Sequence, residues 1–216
     1  KKQIEDFIEL INHQDDLEKV GIDISKTLLL YGRPGCGKTS IAHYISERTK
    51  MPLLIARLDT LVSSLLGNTA KNIRAIFDYA QSRPCILFLD EFDAIAKARD
   101  DAHELGELKR VINSLLQNID SFPASSILIA ATNHAELLDK AIWRRFQTSI
   151  EVGLLDSDLM KELVGLLIDD FDCDFKNDEK RIAFVVKLLQ DNTPSDVKTI
   201  FNKVKALSVI KGINRI

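Results

Sequence analysis

With 216 residues, 45% of them hydrophobic and 28% charged, the chain carries enough apolar side chain for one or two packed domains, which excludes a disordered tail. Lys and Arg number 29 against 32 Asp and Glu, a formal net charge of -3, so no global field draws the chain to nucleic acid or to an anionic membrane. The three cysteines, Cys36, Cys85 and Cys173, lack paired metal-ligand spacing, and no apolar stretch reaches the roughly 20 residues that span a bilayer; a reducing, cytoplasmic setting is expected.

Ile4, Phe7, Ile8 and Ile11 recur at helical spacing, and Thr27–Tyr31 is a short apolar run that stops at a loop rich in Gly and Pro, so a helix is followed by a buried strand. Ile41, Ala42, Tyr44 and Ile45 restart the helical pattern. Residues 52–56 make a second strand, 71–80 a helix that ends before Pro84, and 85–89 a third strand that runs into acids. Leu105, Leu108, Val111, Ile112, Leu115, Leu116 and Ile119 form one helical stripe, and 126–131 is a fourth strand. Beyond Val152 the pattern is helical only, over 156–168, 178–189 and 195–210. Continuous apolar strands alternating with helices predict a parallel α/β sheet sandwiched by helices over 1–152, followed by a small all-helical domain over 153–216. Ligands of such sheets sit at the carboxyl ends of the strands.

Gly32-Arg33-Pro34-Gly35-Cys36-Gly37-Lys38-Thr39 fits the pattern G-x-x-x-x-G-K-[ST] and lies between a strand and a helix, where a phosphate-cradling loop belongs. Glycines let backbone N–H groups close on phosphate oxygens, the helix N-terminus adds partial positive charge, Lys38 reaches the β and γ phosphates, and the Thr39 hydroxyl suits Mg²⁺. Pro34, Cys36 and Ser40 complete the candidate nucleotide contacts. After the third strand, Asp90 is placed to hold Mg²⁺ and Glu91 to orient and polarise the attacking water.

The strings LLLYGRPGCGKTS, ILFLDEFDAIAKAR, ILIAATN and AIWRRF, in that order, resemble the Walker A, Walker B, sensor 1 and arginine-finger segments of the AAA family of ring-forming ATPases, in the branch of katanin, spastin and the AAA proteases. The resemblance covers about residues 20 to 210 and implies a P-loop ATPase module with a helical lid, ATP and Mg²⁺ as cofactors, and self-assembly into a ring, six subunits being the family expectation. Carried over to this chain, Asn133 is similar to the sensor 1 residue that holds the attacking water. Arg144 and Arg145 are similar to paired arginine fingers that reach a neighbour's γ-phosphate, and a pair of surface arginines is the plainer reading of the same two residues. Leu65 or Leu66 stands where threading relatives place a pore aromatic, and ordinary helix packing accounts equally for leucines there. The charged stretch 99–104, with His103, falls at the second pore loop or on solvated surface. Asn192–Val197 looks like the helix start that packs beside adenine, with Thr193 or Ser195 as N-cap; Lys198 is no clear sensor 2 residue, and Val20, Gly21 and Ile22 are candidates for the rest of that pocket. His134, next to Asn133, reads as a solvated loop histidine. The resemblance implies remodelling of a protein partner, with closure of the lid as the moving part; a nucleotide-gated scaffold with slow hydrolysis is the alternative.

Overall fold

The computed structural model describes residues 1–22, 24–63, 69–97, 105–169 and 178–211. In chain order the elements are α1 Lys2–Asn12, α2 Gln14–Lys19, β1 Thr27–Tyr31, α3 Lys38–Thr49, β2 Leu53–Arg57, α4 Leu58–Ser63, α5 Thr69–Gln81, β3 Ile86–Asp90, α6 Ala94–Lys97, α7 Leu105–Asp120, β4 Ile127–Thr132, a 3-10 turn Ala135–Leu137, α8 Lys140–Trp143, β5 Thr148–Glu151, α9 Ser157–Asp169, α10 Glu179–Leu189 and α11 Pro194–Ile210. The chain divides into two compact units: residues 1–32 with Lys38–Glu151, and Arg33–Gly37 with the residues from Val152 on.

In the first unit five strands form one parallel sheet in the order β2-β3-β4-β1-β5. Side chains alternate across a strand, and in β1, β3 and β4 both alternating sets are dry. Leu29, Leu87, Leu89, Leu128 and Ala130 pack into a core with Ile73 and Phe77 of α5 and Val111, Ile112, Leu115 and Ile119 of α7. Their strand neighbours Leu28, Leu30, Ile86, Phe88, Ile127 and Ile129 are also fully buried, on the other side of the pleat. That double burial is why the strands read as unbroken apolar runs. β5 is a strand with no counterpart in the sequence reading: of its four residues only Ile150 is buried, too little apolar signal to mark a strand. It exists because β1 offers it a parallel edge, pairing Leu28 to Thr148 through Tyr31 to Glu151.

The second unit has its own core, in which Met160, Val164 and Ile168 of α9 meet Val186 and Leu189 of α10 and Val197 of α11. Asp178 caps α10 by accepting from the amides of Lys180 and Arg181. Thr193, not Ser195, caps α11: its hydroxyl accepts from Asp196 N while the Asp196 carboxylate accepts from Thr193 N, a reciprocal box with Pro194 at the first helical position.

Candidate functional site

The strand order sets the carboxyl ends of β1, β4 and β3 side by side, so the residues that follow Tyr31, Thr132 and Asp90 share one edge of the sheet although they are far apart in the chain. Lys38, the first residue of α3, is only 8% exposed. Its Nζ donates to Gly32 O at 2.7 Å and to Asn133 Oδ1 at 2.6 Å. An ammonium can only donate, so Asn133 turns its carbonyl to Lys38 and its amide nitrogen to Glu91, where Nδ2 donates to Oε2 at 3.3 Å and Oε1 at 3.5 Å. A carboxylate can only accept. One asparagine therefore bridges a cation and an anion, with its two ends assigned by their charges.

Glu91 lies one residue beyond β3 with φ at +53°. The left-handed region costs a side-chain-bearing residue roughly 1–2 kcal/mol, and the turn is held by Asp90 Oδ1, which accepts from Glu91 N at 2.9 Å. The chain thus kinks between Asp90, the last residue of β3, and Glu91. The next two residues tie this kink to β4. Phe92 N donates to Ala131 O at 2.9 Å, and the buried Asp93 accepts through Oδ1 from Thr132 Oγ1 at 2.9 Å and from Asn133 N at 3.3 Å.

The glycine loop has φ of +139°, +78° and +100° at Gly32, Gly35 and Gly37, backbone that side chains rarely adopt. Cys36 is buried, Pro34 is exposed, and Thr39 and Ser40 are exposed on the first turn of α3. Within the second unit Gly35 O accepts from Ser195 N at 3.2 Å. A Cβ built on Gly35 would sit 2.8 Å from Thr193 Oγ1 and 3.0 Å from Ser195 Cβ. Gly35→Ala is therefore expected to lower the melting temperature: the left-handed backbone alone costs about 1–2 kcal/mol, or about 2–4 °C per kcal/mol at this chain length, and the clash adds to it. Thermal unfolding followed by circular dichroism checks this, and an unchanged melting temperature would contradict the close approach.

The arginine pair follows α8, whose N-cap Asp139 accepts from Ile142 N. Arg144 is exposed. Arg145 is held within its own chain: Nη2 donates to Asp120 Oδ2 at 2.9 Å and Nη1 to Ala141 O at 2.7 Å, while Nε stands 2.9 Å from Asp120 Oδ1 but off the hydrogen-bond line, so that contact is purely ionic. The pair differs in freedom, which its adjacency in sequence does not reveal.

His134 is exposed, with Nδ1 3.0 Å from Glu136 Oε1. The Glu136 carboxyl is held below the usual carboxylate range, first by a hydrogen bond from its own backbone amide and then by His134. Val20, Gly21 and Ile22 are exposed just after α2. Leu65, Leu66, His103, Cys173 and the stretch 99–104 lie outside the described residues.

Three residues that hold or face these groups escaped the sequence reading. Asp93 sits inside the string ILFLDEFDAIAKAR with no role assigned to it there, and Asp120 and Arg57 belong to no motif. Arg57 ends β2 directly opposite Asp90 in the parallel register and is gripped by Asp59 through bonds of 2.7 and 3.2 Å. Only strand order and register bring it there.

A five-stranded parallel sheet with a glycine loop and buried lysine after β1, acids after β3 and a polar exit from β4 defines a P-loop nucleotide-binding α/β module, here with an all-helical C-terminal part. The family model for the ATPase family associated with various cellular activities (AAA) matches residues 28–154, and the chain belongs to that family. Among curated relatives, an uncharacterized AAA family ATPase of Sinorhizobium fredii is 49% identical over 61% of this chain and 40% of the relative. An ATP-dependent zinc metalloprotease FtsH 2 of Symbiobacterium thermophilum is 31% identical over 100% of this chain and 38% of the relative. A proteasome-activating nucleotidase of Methanococcus vannielii is 32% identical over 98% of this chain and 53% of the relative. The chain therefore spans about half or less of the length of these proteins. Among the described residues no helix is long and apolar enough to cross a membrane.

Proposed function

We propose that this chain hydrolyses ATP in a Mg²⁺-dependent reaction at interfaces between copies of itself assembled in a ring, and that the energy remodels or unfolds a protein partner in the cytoplasm. The observation that carries the hydrolytic part is the unbroken chain of hydrogen bonds from Glu91 through Asn133 to Lys38 and Gly32 O. It joins a carboxylate able to take a proton to a cation able to hold a phosphate, through one amide that touches both. The donor set fits the nucleotide: loop glycines whose backbone bends outward without steric cost, a helix N-terminus at Lys38, and a lysine drawn into the site. Residues 1–152 act as the ATPase domain and 153–216 as a helical lid.

In this reading backbone amides of Gly32 to Ser40 cradle the phosphates and Lys38 exchanges its present acceptors for β and γ oxygens. Thr39 and Asp90 are the residues that would hold Mg²⁺, which when bound neutralises charge on the leaving phosphate. Glu91 accepts the proton of the attacking water while Asn133 fixes the direction of attack. Arg144 and Arg145 complete the site of the next subunit. Remodelling of a protein partner rests on the relatives whose names tie them to proteolysis and the proteasome, and six subunits are the expectation that the family resemblance implies.

Steady-state ATPase activity measured across a wide range of protein concentration, alongside light-scattering mass, tests the proposal. Specific activity that rises as assemblies form supports an interface-completed site; nucleotide binding with no turnover at any concentration would overturn it in favour of a gated scaffold. The arginine pair supplies a sharper result. Arg145→Ala is expected to cut hydrolysis by roughly 10³-fold while monomers still bind nucleotide, and mixing it with Lys38→Ala subunits should restore part of the activity by donating an intact arginine. Mixed assemblies without any recovery would contradict action across the interface.

A further inference from the structure

We infer that Asp93 is a positioning residue for hydrolysis: it acts through Asn133, fixing the exit of β4 so that one amide side chain can face Lys38 and Glu91 together. The inference rests on the reading of Asn133 and Glu91 given above and extends it to a residue outside the P-loop and the Asp90-Glu91 pair.

Asp93 is 1% exposed and Thr132 not at all. A carboxylate buried this far must be matched by donors, and two of the donors it has come from the two residues that carry the site: the Thr132 hydroxyl at 2.9 Å and the Asn133 backbone amide at 3.3 Å, both on Oδ1. Thr132 Oγ1 in turn accepts from His134 N at 3.0 Å. The backbone on both sides of Asn133 is therefore pinned to one oxygen of Asp93, directly or through one hydroxyl. Among the described residues the Asn133 side chain has no such support of its own. Its hydrogen bonds there are to Lys38 Nζ and the Glu91 carboxylate, the two groups whose partners must change when phosphates and water arrive. An asparagine fixed only by exchangeable partners would lose its aim during the reaction. Held by its backbone, it keeps its aim.

The same two residues also fix where Glu91 stands. Phe92 N donates to Ala131 O and Asp93 reaches Thr132 and Asn133, so the segment right after Glu91 is fastened at successive positions to the segment that ends in Asn133. Glu91 and Asn133 thus belong to one clamped pair of chain segments whose clasp is a buried acid two residues past the acid proposed to do the chemistry. Charge-assisted bonds to a dry carboxylate are the stronger kind, which suits a clasp.

The test uses the assembled, active protein and reads kcat apart from nucleotide affinity. Asp93→Asn keeps an acceptor but weakens both bonds, and Thr132→Val keeps the shape of the side chain and removes the hydroxyl. Each is expected to lower kcat by about 10- to 100-fold, the size expected when a reacting group is misplaced by a fraction of an ångström to an ångström, with nucleotide Kd within about twofold, since Lys38 and the glycine loop are untouched. In an Asn133→Ala background both changes should lower kcat by much less than they do alone, because one of the two residues they position is gone. Unfolding monitored in the same preparations separates loss of fold from loss of aim, and if Asp93→Asn does not fold, Thr132→Val carries the test. Losses that multiply with that of Asn133→Ala, a fall in affinity parallel to the fall in kcat, or an unchanged kcat would each overturn the inference while leaving the site assignment standing. An Asn133→Ala protein with unchanged kcat would instead remove the parent reading, and this inference with it.

Discussion

Replacing Glu91 with glutamine is expected to leave ATP bound and to stop its hydrolysis. Glutamine preserves the length and one acceptor oxygen, so the bond from Asn133 Nδ2 survives and the bridge to Lys38 is kept. What is lost is the basic oxygen that takes a proton from water, and general-base contributions run to about 10²–10⁴ in rate. Removing a negative charge that faces the triphosphate cannot weaken binding of an anion, so nucleotide affinity should hold or rise. Single-turnover hydrolysis together with equilibrium titration of a fluorescent ATP analogue measures both quantities on one sample. Equal loss of affinity and rate would show that Glu91 holds the fold of the site and is not the base.

Lys38→Ala is expected to fail one step earlier, at binding. Lys38 is nearly buried and makes two charge-bearing hydrogen bonds, at 2.7 and 2.6 Å. In the proposed complex it exchanges these for phosphate oxygens. Bonds to charged groups contribute about 1.5–3 kcal/mol each, so losing two removes about 3 kcal/mol or more, a weakening of at least about 100-fold in Kd. A second consequence is structural. Without the ammonium, Asn133 Oδ1 loses the donor it has among the described residues, and the amide can rotate away from Glu91. The alanine protein, saturated with excess ATP, should still turn over poorly, and recovery of wild-type kcat at saturation would contradict the bridge.

Much of this was legible in the order of residues. The glycine loop, the acids after the third strand and the polar exit of the fourth were each marked by composition next to an apolar run, and local patterns of that kind survive folding because both faces of β1, β3 and β4 are dry. β5 was not legible, since one buried isoleucine in four residues leaves no period to detect. The strand order was not legible either, because parallel pairing joins segments far apart in sequence and no local pattern encodes it. For the same reason Asp93, Asp120 and Arg57 gave no signal. An acid buried against β4, an acid locking Arg145 across 25 positions and an arginine set opposite Asp90 are all products of pairing. Sequence also placed Arg144 and Arg145 on equal terms, whereas one is exposed and the other is anchored by Asp120.

The sheet order has a further consequence, for how such a domain can change over generations. The groups proposed to handle phosphate, water and proton hang from β1, β4 and β3, the three interior strands, each flanked on both sides by another strand. The rim strands β2 and β5 have one neighbour each, and β5 follows the arginine pair proposed to complete a neighbouring subunit's site. Inserting or replacing residues at a rim shifts a strand with a single neighbour and leaves the interior register alone. Lineages, and engineers, can therefore rework a rim strand without disturbing the groups proposed to handle phosphate and water.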